Sequence, residues 1–209
     1  MKTRSKVLLT LVCAVLLVTA SVLGTMAYLT STDEVVNTFT VGKVAIKLDE
    51  AKANADGSLV ANADRVKANS YKLLPGHTYN KDPMVTVLAG SESSYIKMNV
   101  TVTKSKELDA IGVNLLETFK GYAGETWLYK GNKEDTVNNT RTYEFWYKAA
   151  VAATNTNVSL DALFDQIVIP GSITNAQLAT IEGMTITVTA YAIQADGFAN
   201  AEAAWAAYK

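Results

Sequence analysis

The stretch 184–192 alternates strictly, with Met184, Ile186, Val188, Ala190 and Ala192 apolar and Thr185, Thr187, Thr189 and Tyr191 standing between them. A period of two sends successive side chains to opposite sides of an extended chain, so this stretch is read as a half-buried β-strand. The pattern recurs over 95–103, where Ile96, Met98, Val100 and Val102 oppose Lys97, Asn99, Thr101 and Thr103. Tyr143, Phe145 and Tyr147 alternate with Glu144, Trp146 and Lys148, and Val44, Ile46 and Leu48 with Lys43, Ala45 and Lys47. Shorter strand candidates lie at 35–41, 71–74, 84–88, 126–129 and 166–169. Short strands of this kind, each with one apolar face, predict a mainly β fold: two antiparallel sheets packed face to face as a β-sandwich.

Helical signals are few. The stretch 106–119 carries Leu108, Ile111, Leu115, Leu116 and Phe119 near the helical repeat and predicts one helix over a sheet edge. Residues 175–182 predict one or two turns stopped by Gly183. Ser159 is placed to cap a turn holding Leu160, Leu163 and Phe164, and Asn200 to cap 201–208, with Trp205 as a hydrophobic anchor. Between them, 51–70 is rich in Ala, Asn, Asp and Lys around an Asp56-Gly57 turn signal and is read as an exposed loop.

The N-terminus has a different character. Lys2, Arg4 and Lys6 precede an apolar run over 7–23 broken only by Thr10, Thr19 and Ser21, which is a secretory signal pattern. Small residues at Thr25 and Ala27 predict cleavage after Ala27, leaving 28–209 as a single domain behind a 1–27 signal helix. The run is also just long enough to span a bilayer, so an uncleaved anchor is the alternative; the cleavage site that follows it favours removal.

Composition narrows the chemistry. The chain of 209 residues has one Cys, one His and a formal charge of −1. Cys13 lies in the leader, so the exported chain has no cysteine, hence neither an internal disulfide nor a Cys-rich zinc site. One His excludes sites that need two imidazoles. The leader removes three basic residues and no acidic one, leaving an acidic chain unsuited to nucleic acid.

Three stretches then look alike to one family. GTMAYLTSTDEVVNTFTVGKVAIKLDE (24–50), LLPGHTYNKDPMVTV (73–87, with Lys81, Asp82 and Pro83) and ITVTAYAIQADGF (186–198, with Tyr191 and Gln194) resemble the leader and first strand, the Pro-Gly turn with its Lys-Asp-Pro, and the closing strand of the TasA/camelysin family. The resemblance spans most of the mature chain, while 106–165 adds little that is diagnostic. It implies a jelly-roll β-sandwich in an exported Gram-positive surface or biofilm-matrix protein, processed by a signal peptidase of the SipW type. It also implies fibres built by donor-strand exchange, in which the freed N-terminal segment of one subunit completes a sheet in the next. Here the donor would be 28–41, with Tyr28, Leu29, Val36, Phe39 and Val41 as pocket-filling residues. The alternative is that 35–48 forms an edge strand of its own domain. The implied partners are further copies of the chain and the signal peptidase, with the membrane met only through the leader; no nucleic acid and no cofactor are expected.

Other chemistry is thin. The family name carries a metallopeptidase label, yet His77 sits in a Pro-Gly-His turn without a glutamate or second histidine at helical spacing, so a zinc site could draw only on carboxylates such as Asp82. No catalytic residue is assigned. Asp33-Glu34, Asp49-Glu50 and Glu134-Asp135 lack calcium-loop spacing and are read as solvated charges. Asp82 is expected to stabilise the turn before it and Pro83 to start a strand. Trp127, Tyr129, Tyr143, Phe145, Trp146 and Tyr147 are dense enough for a glycan-stacking face, the mark of a monomeric adhesin, although core packing explains most of them.

Overall fold

The computed structural model describes residues 3–27 and 42–208 as two separate units, divided at Val41/Gly42. The first holds α1 (Thr3–Ala27), a helix whose side chains from Lys6 to Leu17 are all exposed. Thr25 and Ala27 lie in its last turn. Among the described residues no helix is long and apolar enough to cross a membrane. The donor candidates Tyr28, Leu29, Val36, Phe39 and Val41, together with Asp33-Glu34 and the strand expected at 35–41, lie outside the described residues.

The second unit is mainly β, with antiparallel sheets and a few short helices. Its strands are β1 (Ile46–Asp49), β2 (Thr78–Asn80), β3 (Met84–Val87), β4 (Ser91–Thr103), β5 (Phe119–Lys120), β6 (Trp127–Asp135), β7 (Thr140–Tyr147), β8 (Val151–Ala153), β9 (Val158–Ser159), β10 (Gln166–Val168) and β11 (Ile186–Gln194). They form three sheets rather than the two expected: β1-β3-β9, β2-β10-β5, and β11-β4-β7-β6 with β8 paired to the start of β4.

β4 organises the largest sheet. Its alternation holds as read: Ile96, Met98, Val100 and Val102 are almost wholly excluded from solvent, and burial on one face fixes the register against β7 and β11. The opposite face pairs polar groups across strands, with Thr101 bonded to Thr142 at 2.9 Å and Thr103 to Thr185 at 3.3 Å. Val85, Val87, Tyr143, Phe145, Trp127, Ile167 and Phe164 join the apolar face of β4 in one hydrophobic cluster to which all three sheets contribute.

Several local expectations are corrected. The helix read over 106–119 is two, α2 (Ser105–Ala110) and α3 (Leu115–Thr118). Gly112 takes φ +72°, and the N–H groups of Gly112 and Val113 bond the carbonyls of Asp109 and Leu108, a Schellman closure that ends the first helix. No strand forms at 71–74, because the Tyr79 hydroxyl takes the Leu74 N–H and donates to the Lys72 carbonyl, groups a ladder would need. Ser159 caps no turn: it ends β9, and Leu160 and Leu163 continue alongside β3 by donating their N–H groups to Val85 and Pro83. The short helix expected within 175–182 and the Asn200 cap are found. α4 (Asn175–Thr180) opens on a Thr174–Gln177 capping box, and Asn200 caps α5 (Ala201–Ala207), whose Trp205 is buried.

Candidate functional site

Among the described residues β11 ends its sheet, pairing with β4 on one side only. An edge strand presents unpaired backbone groups to whatever can align with it. Beside the first residues of β11 runs a groove of about 900 Å³, of the size that takes a ligand or a peptide segment. Its floor and walls are apolar where Tyr71, Leu73, Ile167, Ile169, Leu178, Met184 and Ile186 reach it, and polar at Asn69, Lys72, Lys81 and Glu182. Tyr71, Leu73, Leu178, Met184 and Ile186 pack against the core yet stay only partly buried, so the cleft opens the apolar interior beside the free edge. α4 contributes Leu178 to one wall; the chain from 68 to 73 supplies another.

That second wall is held by charge. Asp49 and Glu50, read as solvated, are each 5% exposed, and Lys81 is 8% exposed. Arg65 reaches back to Asp49 Oδ1 at 2.6 Å and to Asp82 Oδ2 at 2.8 Å, and its remaining N–H groups cap the Asp49 and Asp82 carbonyls. A planar guanidinium can serve several acceptors at once, which an ammonium could not do in this geometry. Lys81 Nζ meets Glu50 Oε2 at 2.5 Å. Burial by itself raises the Asp49 carboxyl, but hydrogen bonds from Lys47 and Arg65, with their charges, outweigh it and hold the group below the usual carboxylate range. Burial, reinforced by the Glu50 charge, pushes the Tyr71 phenol well above its ordinary value.

The Lys81-Asp82-Pro83 motif is thus a junction. Asp82 does not brace the turn before it; its Oδ1 accepts from the Ala51 N–H at 2.6 Å, across to the far side of the 51–70 segment. Pro83 directly precedes β3, as read. The 51–70 segment is correspondingly more than an exposed loop: Glu50 and Val66 form a bridge, as do Ala53 and Leu59. Arg65 and Asn69 went unnoticed in the sequence, and no local pattern marks them, since their partners lie 16 to 19 residues away.

The remaining candidates lie elsewhere. Tyr191 sits on β11 beside α5, with its ring 5.7 Å from Tyr208 and the Lys97 ammonium 5.3 Å from its centre; Gln194 ends the strand and contacts the Asp196 carbonyl. His77 is exposed, its ring 6.3 Å from Tyr79. Among the described residues no three His, Cys, Asp or Glu side chains are grouped to hold a metal ion. Glu134, read as solvated, is paired with Arg141 at 2.5 Å, and Asp135 accepts from the N–H groups of Val137 and Asn138. Trp127 is fully buried, whereas Trp146, on the opposite face of the strand pair, packs on Trp205 under the Lys130 ammonium at 4.2 Å. The two tryptophans do not make a common platform. Comparison of the chain with family models, with curated proteins and with solved structures returns no match.

Proposed function

We propose that the chain is an exported structural protein of the cell surface or extracellular matrix, a jelly-roll β-sandwich of the TasA/camelysin kind that assembles into homopolymers. The carrying observation is the apolar groove beside the edge of β11 that is unpaired among the described residues. An extended segment laid there gains main-chain hydrogen bonds from the edge and side-chain burial from Tyr71, Leu178 and Met184, which is how strand addition obtains both affinity and register. In this reading a signal peptidase of the SipW type cuts after Ala27, and the freed 28–41 segment of one copy enters the groove of the next. Leu29, Val36, Phe39 and Val41 supply its apolar residues. The role is mechanical rather than catalytic, the partner is another copy of the chain, and the site of action is outside the cell.

Complementation tests this. Two variants of chain 28–209 are prepared, Phe39→Asp in the donor and Met184→Asp in the groove. Each alone is expected to stay monomeric in light scattering and to show no fibres by electron microscopy, whereas the intact chain polymerises. Mixed, the two variants retain one good donor and one good groove between them and are expected to form a heterodimer. An intact chain that remains monomeric in every condition, or polymers that survive deletion of 28–41, would refute the reading.

A further inference from the structure

Two side chains from separate stretches of the chain converge on one carboxylate. Glu50 accepts from Lys81 Nζ on Oε2 at 2.5 Å and from Asn69 Nδ2 on Oε1 at 3.0 Å. Glu50 and Lys81 are buried, and Asn69 is half-buried. The amide of Asn69 is fixed at both ends: Nδ2 also donates to the Ala51 carbonyl at 2.8 Å, and Oδ1 accepts the Ala53 N–H at 2.9 Å. Those two backbone contacts decide which end of the amide is nitrogen. Tyr71 and Tyr79, ring centres 5.4 Å apart, border the same cleft wall as Asn69 and Lys81.

This is more than an ion pair requires. A lysine and a glutamate withdrawn from water lose hydration that their attraction only partly restores, and the hydrogen bond between them is a direct path for a proton from amine to carboxylate. A free lysine amine is a nucleophile. A carboxyl that touches both the amine and the amide nitrogen can carry a proton from one to the other. The Ala53 N–H on Oδ1 stands where negative charge develops when the amide carbon is attacked. Glu50 thus joins the nucleophile to the leaving nitrogen by one hydrogen bond each, and the oxyanion donor already sits on the Asn69 amide.

We propose that Lys81 and Asn69 join in an intramolecular isopeptide bond, with Glu50 as the proton carrier. A proton passes from the Lys81 ammonium to Glu50. The freed Nζ attacks Cγ of Asn69, and the Nζ–Cγ bond forms while Oδ1 takes the negative charge beside the Ala53 N–H. A proton lost from Nζ travels by way of Glu50 to Nδ2, the Cγ–Nδ2 bond breaks, and ammonia leaves. Glu50 ends the step as a neutral carboxyl, holding the first proton, so the site loses its positive and its negative charge together. No oxidant, metal or external reagent enters the balance. The product is a covalent tie across the wall of the groove, in a chain whose exported part has no cysteine to staple it.

The test is the mass of the full chain. The folded protein is expected to weigh less than its sequence by one ammonia. Trypsin is expected to leave Lys81 uncut and to yield a branched peptide in which 68–72 is joined to 73–97. Lys81→Met, Asn69→Ala and Glu50→Gln are each expected to restore the full sequence mass and the unbranched peptides. The proposal is overturned if the wild-type protein keeps its sequence mass after prolonged incubation in the folded state. It is equally overturned if ammonia is lost but trypsin still cuts after Lys81, because a succinimide at Asn69 would give that pair of results. Should a variant fail to fold, the wild-type branched peptide decides the matter alone.

Discussion

β4 and the 49–82 region each bury side chains thoroughly, by opposite chemistry. β4 buries four aliphatic residues on one face, and each contributes through area removed from water, whichever apolar neighbour it meets. The 49–82 region buries Asp49, Glu50 and Lys81, which become tolerable only through particular partners: Lys47 and Arg65 for Asp49, and Lys81 with Asn69 for Glu50. The first kind of burial forgives conservative exchange; the second fails when one member is lost. The groove draws on both kinds of burial, with an apolar floor from Ile167, Leu178 and Ile186 and the 68–73 wall held by the charged region.

The comparison can be broken from either side. Trp127→Ala is expected to cost most, about 3–5 kcal/mol by urea unfolding, because it empties a fully buried site and leaves the Asp161 carbonyl without its donor. Arg65→Ala is expected to cost roughly 3 kcal/mol through uncompensated charge on Asp49 and Asp82. Part of that loss should return in the double variant with Asp49→Asn; a purely additive double variant would show that the ion pairs carry no coupling. A pH series distinguishes the regions further. Asp49 has its folded-state value held below the unfolded one, so its contribution is complete above about pH 4 and is lost as pH falls through the folded value. Stability measured from pH 6 down to 2 should therefore fall less steeply in Asp49→Asn than in wild type; identical slopes would count against the assignment. The smallest effect is expected at the far end of the domain, where Asn200→Ala removes the cap on the Ala203 N–H and should cost about 1 kcal/mol.

Legibility in the sequence followed the same division. The period-two runs placed β4, β7 and β11 and named their core-facing residues, because strand alternation is written in consecutive positions. The Asn200 cap is equally local. Gly112 shows how one residue overrules a periodic pattern: the apolar positions of 106–119 are buried or partly buried much as a single helix would bury them, but a left-handed turn divides the segment. The Asp49-Glu50 pair was misread for a different reason. Acidic neighbours next to a turn-rich segment are ordinarily solvated, and nothing within ten residues announces that Arg65, Asn69 and Lys81 will fold back on them.

What the sequence determined by itself was an apolar N-terminal segment, a mainly β domain and the apolar face of each long strand. These follow from hydrophobic periodicity, which acts through the nearest few residues and tolerates any apolar partner. Only the tertiary structure decided that the described strands form three sheets, that among them β11 is an edge strand beside a groove, and that Glu50 holds Lys81 and Asn69 together. Those outcomes depend on which distant stretches meet, and buried charges and amides, unlike aliphatic side chains, are satisfied only by a specific group at hydrogen-bonding distance.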